Sequence, residues 1–236
     1  MSFLSFTDRV PEGSAIEPWL LASLYDLLSL SPMARAAYRR TLAGVLSQRV
    51  SRGRGLDLGT GPGHVALEIG ARHSKLRMVG LDLAAHMVMR ARRQAGRSGL
   101  NGRTAWPQGD GHALPFADDS FDLVVSSMAL HHWDDPLRVL DEIARVLKPD
   151  GRYHITDLCR EPNGLQRLFA YASIPAVSLP FGSYWGYGGY HESLRASYTR
   201  HEARHLLAQS ALPPGEVGID PTGLLPLLII ASKAME

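Results

Sequence analysis

Between Arg54 and Asp157 the chain alternates short apolar runs with helical patterns, and few architectures accept that order. The spacing predicts strands at Gly55–Leu58, Arg77–Asp82, Arg103–Trp106, Phe121–Ser126 and Arg152–Thr156. Helices are predicted between them at Gly63–Arg72, Ala84–Arg97 and Pro136–Leu147. Strands joined through helices make right-handed crossovers, which set the strands parallel and cover both faces of the sheet. The expected fold class is therefore α/β, with a doubly wound sheet at its centre.

The flanks read differently. From Ser14 to Arg49 the pattern is helical: Ile16, Leu20, Leu24 and Leu27 or Leu28 share a face, Ser14 and Glu17 suit a capping box, and Ser31-Pro32 opens a second helix. After Cys159 a helix is expected at Gly164–Ile174. It is followed by the irregular stretch SLPFGSYWGYGGYHES, in which Tyr184, Trp185, Tyr187 and Tyr190 stand among glycines. A helix at Thr199–Ser210 and strands near Gly215–Ile219 and Leu225–Ser232 close the sheet. The division expected is an N-terminal helical cap over 1–49 and one sheet domain over 50–236, within which 160–197 is a lid insertion.

Composition removes several classes. With 45% apolar and 20% charged residues and a net charge of +2, the 236 residues can bury a full core, which excludes a disordered or fibrous chain. Cys159 is the lone cysteine, and the segment MSFLSFTDRVPEGS has neither the basic nor the apolar part of a signal peptide, so a cytoplasmic location is expected. The run Leu224–Ala231 is broken by Pro226 and is far below the ~20 residues of a membrane span. The arginines Arg39/Arg40, Arg49/Arg52/Arg54 and Arg90/Arg92/Arg93/Arg97 fall at helical spacing or in a linker, as solvated faces do, and no nucleic-acid partner is expected.

Three motifs carry chemistry. LDLGTGPGH, residues 56–64, joins a strand to a helix through glycines that let the backbone approach a ligand beside unpaired helical N–H groups. A dinucleotide fingerprint G-x-G-x-x-G would need glycine where His64 stands. The pattern present is D-x-G-x-G-x-G, with Asp57, Gly59, Gly61 and Gly63, which speaks against a nicotinamide-dependent oxidoreductase. VGLDLAAHM, residues 79–87, ends a strand on Asp82. That carboxylate either caps the following helix or accepts both hydrogens of a ribose diol, and the glycine loop upstream favours the ribose. GDGHALPF, residues 109–116, places Asp110 after a strand, as a turn residue or as an acceptor for an exocyclic amine.

Further on come FDLVVSSMALHHWDD, residues 121–135, and EIARVLKPDGRYHITDL, residues 142–158. With these, the set LDLGTGPG, GLDL, DGHALPF, LHHW and RVLKPDG resembles the class I S-adenosylmethionine-dependent methyltransferases. The resemblance is to the small-molecule branch that includes the ubiquinone/menaquinone-biosynthesis enzymes, and it is close over roughly residues 50–158. It implies a Rossmann-like seven-stranded sheet with the last strand antiparallel and S-adenosyl-L-methionine as cofactor. It implies that the loop around Gly59 and Gly61 cradles the methionine part, Asp57 anchors its ammonium through water, Asp82 holds the ribose, and Asp110, Gly111 and His112 face the adenine. Thr60, Leu83, Met87, Gly109 and Ser127 complete the implied cofactor set.

The chemistry expected is in-line methyl transfer to O, N, S or C of a small, partly apolar or aromatic acceptor, with the nucleophile held about 3 to 3.5 Å from the methyl carbon. It needs no metal. His131 and His132 lie where the fourth strand ends, and a histidine there suits proton transfer, His132 above His131. Tyr25 resembles the family's Y-D tyrosine near the cofactor, and the Phe181–Tyr190 stretch suits a lid. The loop after the fourth strand has no N-P-P-Y element and the chain no P-C dipeptide, which sets aside methylation of adenine or cytosine in nucleic acid. A cofactor-binding module without catalysis stands as the alternative to an enzyme. No oligomeric state is implied.

Overall fold

The computed structural model describes residues 32–168, 190–220, 223 and 225–232. In order, the elements are α1 (Pro32–Ser47), β1 (Arg52–Leu58), α2 (His64–Arg72), β2 (Lys75–Leu81), α3 (Ala85–Arg97), β3 (Thr104–Ala105) and β4 (Phe121–Ser127). They continue with a 3-10 turn (Leu130–His132), α4 (Pro136–Val146), β5 (Leu147–Leu158), α5 (Tyr190–Ala196), α6 (Arg200–Gln209), β6 (Gly215–Asp220) and β7 (Leu227–Ser232). The expected first helix, Tyr25 and the residues 169–189 of the proposed lid lie outside the described residues.

The strands form one seven-stranded sheet in the order β3-β2-β1-β4-β5-β7-β6. β7 runs antiparallel to both β5 and β6, while the pairs among β1 to β5 are parallel. This is the doubly wound sheet that the alternation predicts, with the seven strands and antiparallel last strand that the family resemblance implies. Because successive residues of a strand point to opposite faces, Leu123 and Val125 of β4 enter one core with α1, α2 and α3, while Val124 enters the other with α4 and α6. Helix α4 shows why the local sequence is helical: Asp135 caps it by accepting from Arg138 N, Pro136 sits in its first turn, and Val139, Leu140, Ile143 and Val146 form one buried stripe.

Two elements differ from expectation. β5 begins at Leu147 rather than at Arg152: Leu147 pairs with Phe121 and Arg152 with Leu123, so the Pro-Asp-Gly residues bulge out of a strand that resumes beyond them. Helix α5 was not expected, because the Gly/Tyr stretch just before it hides its period; Leu194 and Ala196 are fully buried. Ahead of α6, Thr199 and Glu202 form a capping box, and Arg160, its side chain 1% exposed, pairs with Glu202 across 2.5 and 2.7 Å, tying the end of β5 to α6.

Helix α1 packs into the sheet core through Leu42 and Val45, and at Gly44 it lies directly on the imidazole of His154 in β5. A Cβ at residue 44 would come far closer to its Cε1 and Nε2 than van der Waals contact allows. An exposed helical Gly→Ala change gains about 1 kcal/mol; here overpacking costs about 1 to 3 kcal/mol. Gly44→Ala is therefore expected to lower stability in urea unfolding, and a gain would show that α1 moves freely off the sheet.

His154 is 2% exposed, with its Nδ1 unpartnered, and burial pushes its pKa down to about 4. The depressed value leaves the folded protein without a proton that the unfolded chain takes up below pH 6.5. Stability is thus lost as pH falls from about 6.5 to 4, by up to about 3 kcal/mol. Unfolding curves at pH 7.5 and 5 should show a smaller acid loss in His154→Gln than in the parent, and equal losses would refute the assignment.

Candidate active site

The glycine loop follows β1 at the carboxyl edge of the sheet, where parallel strands of this kind bind ligands. Asp57 is 1% exposed, and its Oδ2 accepts from Thr60 Oγ1 at 2.7 Å and from Ala66 N at 3.1 Å. Burial pushes its pKa up to about 6 against the effect of these two bonds. Gly59 N and Thr60 N both donate to Leu81 O, which ties the loop to β2. Gly61 has φ +52, and a Cβ there would meet nothing within 4 Å. The loop therefore leaves open room at that residue.

Gly61 N donates instead to Asp82 Oδ2 at 2.8 Å, while Asp82 Oδ1 accepts from Ala84 N at 2.9 Å. The helix that follows has Ala84, not Asp82, as its N-cap, so the carboxylate bridges the glycine loop and the turn after β2. Burial raises its pKa, opposed by the same two bonds. Leu83 beside it is 62% exposed, and Met87 is buried.

Residues 108–112 run alongside this turn. Gln108 bridges Asp82, and Gly109 N donates to Asp82 O at 3.0 Å. The exposed Asp110 accepts through one oxygen, Oδ1, from His112 N at 2.9 Å and pairs with His112 Nδ1 at 2.7 Å, which holds its carboxyl below the usual range. Gly111 lies against Leu58 and Val139.

At the ends of β4 and β5 the structure assembles a group that only partly follows from the sequence. His131 is 3% exposed; its Nδ1 lies 2.6 Å from Asp157 Oδ1 and its N donates to Asp157 Oδ2 at 2.8 Å. Leu158 N also donates to Asp157 Oδ1, at 2.6 Å. A carboxylate on Nδ1 selects the tautomer with Nδ1–H, leaving Nε2 as the acceptor. The His132 ring sits 4.0 Å from that of His131, and desolvation by the groups packed around it pushes its pKa down to about 4. His132 is thus a neutral imidazole at pH 7.

Helix α1 supplies residues that the sequence did not single out. Thr41 Oγ1 lies 3.1 Å from Ser127 Oγ, both buried, and Tyr38 lines one cavity with Asp57, Gly59, Gly61, His64 and Ser127. Its ring packs on that of His64 at 5.4 Å. Asp157 had a signal, since it directly follows the strand predicted at Arg152–Thr156. Tyr38 had none, being one aromatic residue on a helix.

These residues fit S-adenosylmethionine: a buried carboxylate for an ammonium, room at Gly61 for the aminoacyl chain, and Asp82 one strand over for a diol. Asp82→Ala should weaken cofactor binding tenfold or more, since a charge-assisted contact contributes about 1.5 to 3 kcal/mol; unchanged affinity in calorimetry would place the ribose elsewhere.

Residues 56–155 match the family model described as "Methyltransferase domain". The chain is 33% identical over 174 residues to the demethylmenaquinone methyltransferase of Thermus thermophilus, covering 70% of this chain and 78% of that protein. It is 32% identical over 163 residues to the ubiquinone/menaquinone biosynthesis C-methyltransferase UbiE of Dinoroseobacter shibae, covering 66% of this chain and 65% of that one. The fold matches the crystal structure of a SAM-dependent methyltransferase from Aquifex aeolicus with a TM-score of 0.65 at 19% identity, over 91% of this chain and 98% of that one. The matched segment runs from the glycine loop past His131 and His132 into β5, and with a relative 33% identical matched over 78% of its length the chain belongs to the class I S-adenosylmethionine-dependent methyltransferases.

Proposed function

We propose that this protein transfers a methyl group from S-adenosylmethionine to a small, partly apolar acceptor, with the histidine pair after β4 taking up or steering the acceptor's proton. The observation that carries the reading is the buried Asp57 in one cavity with Gly61, together with an imidazole oriented by Asp157 at the same edge of the sheet, after the neighbouring strand β4. The cofactor supplies a methyl group already activated on a sulfonium, so no metal is needed for the transfer.

The chain's own residues do the rest. Asp57 holds the aminoacyl ammonium, Asp82 the ribose, and Asp110 presents its second oxygen to the adenine amine, with Leu83 as an apolar wall. Asp157 keeps Nε2 of His131 as a lone-pair acceptor, and His132 meets the acceptor as a neutral imidazole. Burial of the His131–Asp157 pair strengthens that contact by excluding water.

The acceptor is read as a small molecule and not as nucleic acid, since the loop after β4 carries LHHW in place of a base-flipping element. The relatives named for quinone precursors support an acceptor with an apolar ring. Among the described residues no helix is long and apolar enough to cross a membrane. The buried free thiol of Cys159 fits a reducing cytoplasm.

The test is to incubate purified protein with S-adenosylmethionine and a metabolite extract and to search by mass spectrometry for species heavier by one methyl group. Formation of such a species with stoichiometric S-adenosylhomocysteine is expected. Cofactor binding without methylation of any pool would leave a non-catalytic binding module, and binding of NAD in its place would leave an oxidoreductase.

A further inference from the structure

We propose that Met128 is a positioning residue for the His131–Asp157 pair: docked against α1, β5, α5 and β7, it holds the exit of β4 in the left-handed turn that delivers His131 to Asp157. The inference rests on the proposed proton-accepting role of His131. Met128 is the first residue after β4 and has φ +59, a region that costs any residue with a Cβ. Among the described residues only Arg49 and Asp119 share a positive φ without being glycine, and both are exposed. The exit of β1 also turns through positive φ, but there the residue is a glycine, Gly59, with φ +68.

The side chain explains why methionine stands where glycine would be unstrained. It packs on the apolar cluster of Ala37 from α1, Leu158 from β5, Leu194 from α5, and Leu225 and Leu227 at β7. Its N–H donates to Thr156 O at 2.8 Å, so the backbone of the turn is tied to β5 as well. A strained conformation persists where its surroundings over-determine it, and such residues gather at functional sites.

On either side of the turn each residue goes to a different neighbour. The Ser127 hydroxyl lies 3.1 Å from that of Thr41 in α1. Ala129 sits against the glycine loop, so close that a Cβ on Gly59 would lie 2.6 Å from its own. Leu130 is fully buried in the core shared with α4, and His131 meets Asp157 through both its N and its Nδ1. Side chains of an extended strand only alternate between two faces, so this set of destinations requires the turn at Met128. The pair is therefore assembled while α1 and α5 are packed on the sheet, which couples the elements before β1 and after β5 to the proton-accepting group.

The experiment records the imidazole N–H resonances of the isotope-labelled full chain by NMR for the parent, Met128→Gly and Met128→Leu. Thermal unfolding, calorimetric binding of S-adenosylmethionine and turnover on the species that the parent methylates are measured alongside. The parent should show a downfield Nδ1–H signal, protected by burial and lost in Asp157→Asn. Met128→Gly relieves the strain but releases the turn. It should unfold cooperatively, bind the cofactor within about threefold of the parent and lose or broaden the signal, with turnover about tenfold slower, inside the roughly hundredfold that a misplacement of about 1 Å can cost. Met128→Leu keeps an apolar side chain of similar volume and should retain the signal, with turnover within about threefold. A sharp signal and full turnover in Met128→Gly, or loss of both in Met128→Leu, would overturn this proposal alone. A parent without the signal would overturn it together with the proton-accepting role of His131. If the parent methylates no pool, the catalytic reading falls, and the signal in the two variants still decides whether Met128 positions His131.

Discussion

Asp57→Asn is expected to make the protein more stable and to empty its cofactor site. The carboxyl is 1% exposed, and burial pushes its pKa up to about 6 from an ordinary value of 3.8. A raised folded value means that the unfolded chain gives up this proton first, so a stability deficit opens as pH rises from 3.8 to about 6 and stays constant above. Its ceiling is about 3 kcal/mol. Asparagine removes the charge, and its carbonyl oxygen can still accept from Thr60 Oγ1 and Ala66 N. Urea unfolding at pH 7.5 should show a gain of about 1 to 3 kcal/mol over the parent, vanishing near pH 4. Calorimetry should show cofactor affinity reduced about thirtyfold or more, because a buried contact to a charged group is lost. A variant that is less stable at pH 7.5 yet binds normally would show that Asp57 serves the loop alone.

Asp157→Asn should leave cofactor binding within about twofold and lower turnover about a hundredfold or more, the scale of general acid–base catalysis. The carboxylate accepts from His131 N, Leu158 N and the Nδ1–H of His131 at distances of 2.6 to 2.8 Å. An amide group in its place offers N–H toward Nδ1, and His131 must move its proton to Nε2, where the lone pair was needed. Some stability is lost as well, about 1 to 3 kcal/mol for imperfectly paired buried donors. Asp157→Ala is the poorer probe, because removing one partner of a buried pair costs about 3 to 5 kcal/mol and threatens folding. His132→Ala should show the same pattern of retained binding and lower turnover. Full turnover in Asp157→Asn would demote the pair to a structural hydrogen bond.

Much of the sheet was legible because its signals are local. β1, β2 and β4 each pair an apolar run with a turn that has few solutions, and α6 announces itself through Thr199 and Glu202. β5 was read too short, because Pro149-Asp150-Gly151 looks like a turn, and only pairing with β4 shows the strand beginning before it. α5 was missed, since seven residues hold too few periods beside a glycine-rich run to outweigh it. The site divides the same way. Asp57, Asp82 and Asp110 stand at strand ends, where local sequence gives a carboxylate its position, whereas the bond from the Thr60 hydroxyl to Asp57 is seen only in the folded loop.

The sequence by itself determined the glycine loop, the strand-end carboxylates and the alternation that makes a doubly wound sheet. Each follows from sterics or periodicity within about ten residues. Tertiary structure decided which histidine is held by a carboxylate, since His131 and Asp157 are 26 positions apart and meet only because β4 and β5 pair in parallel with Ser127 opposite Thr156. It also decided that α1 lies beside the glycine loop: Thr41 reaches Ser127 across 86 positions, and Gly44 lets the helix settle on His154. Such pairs leave no local trace, because the free energy that selects them comes from burying two distant surfaces together.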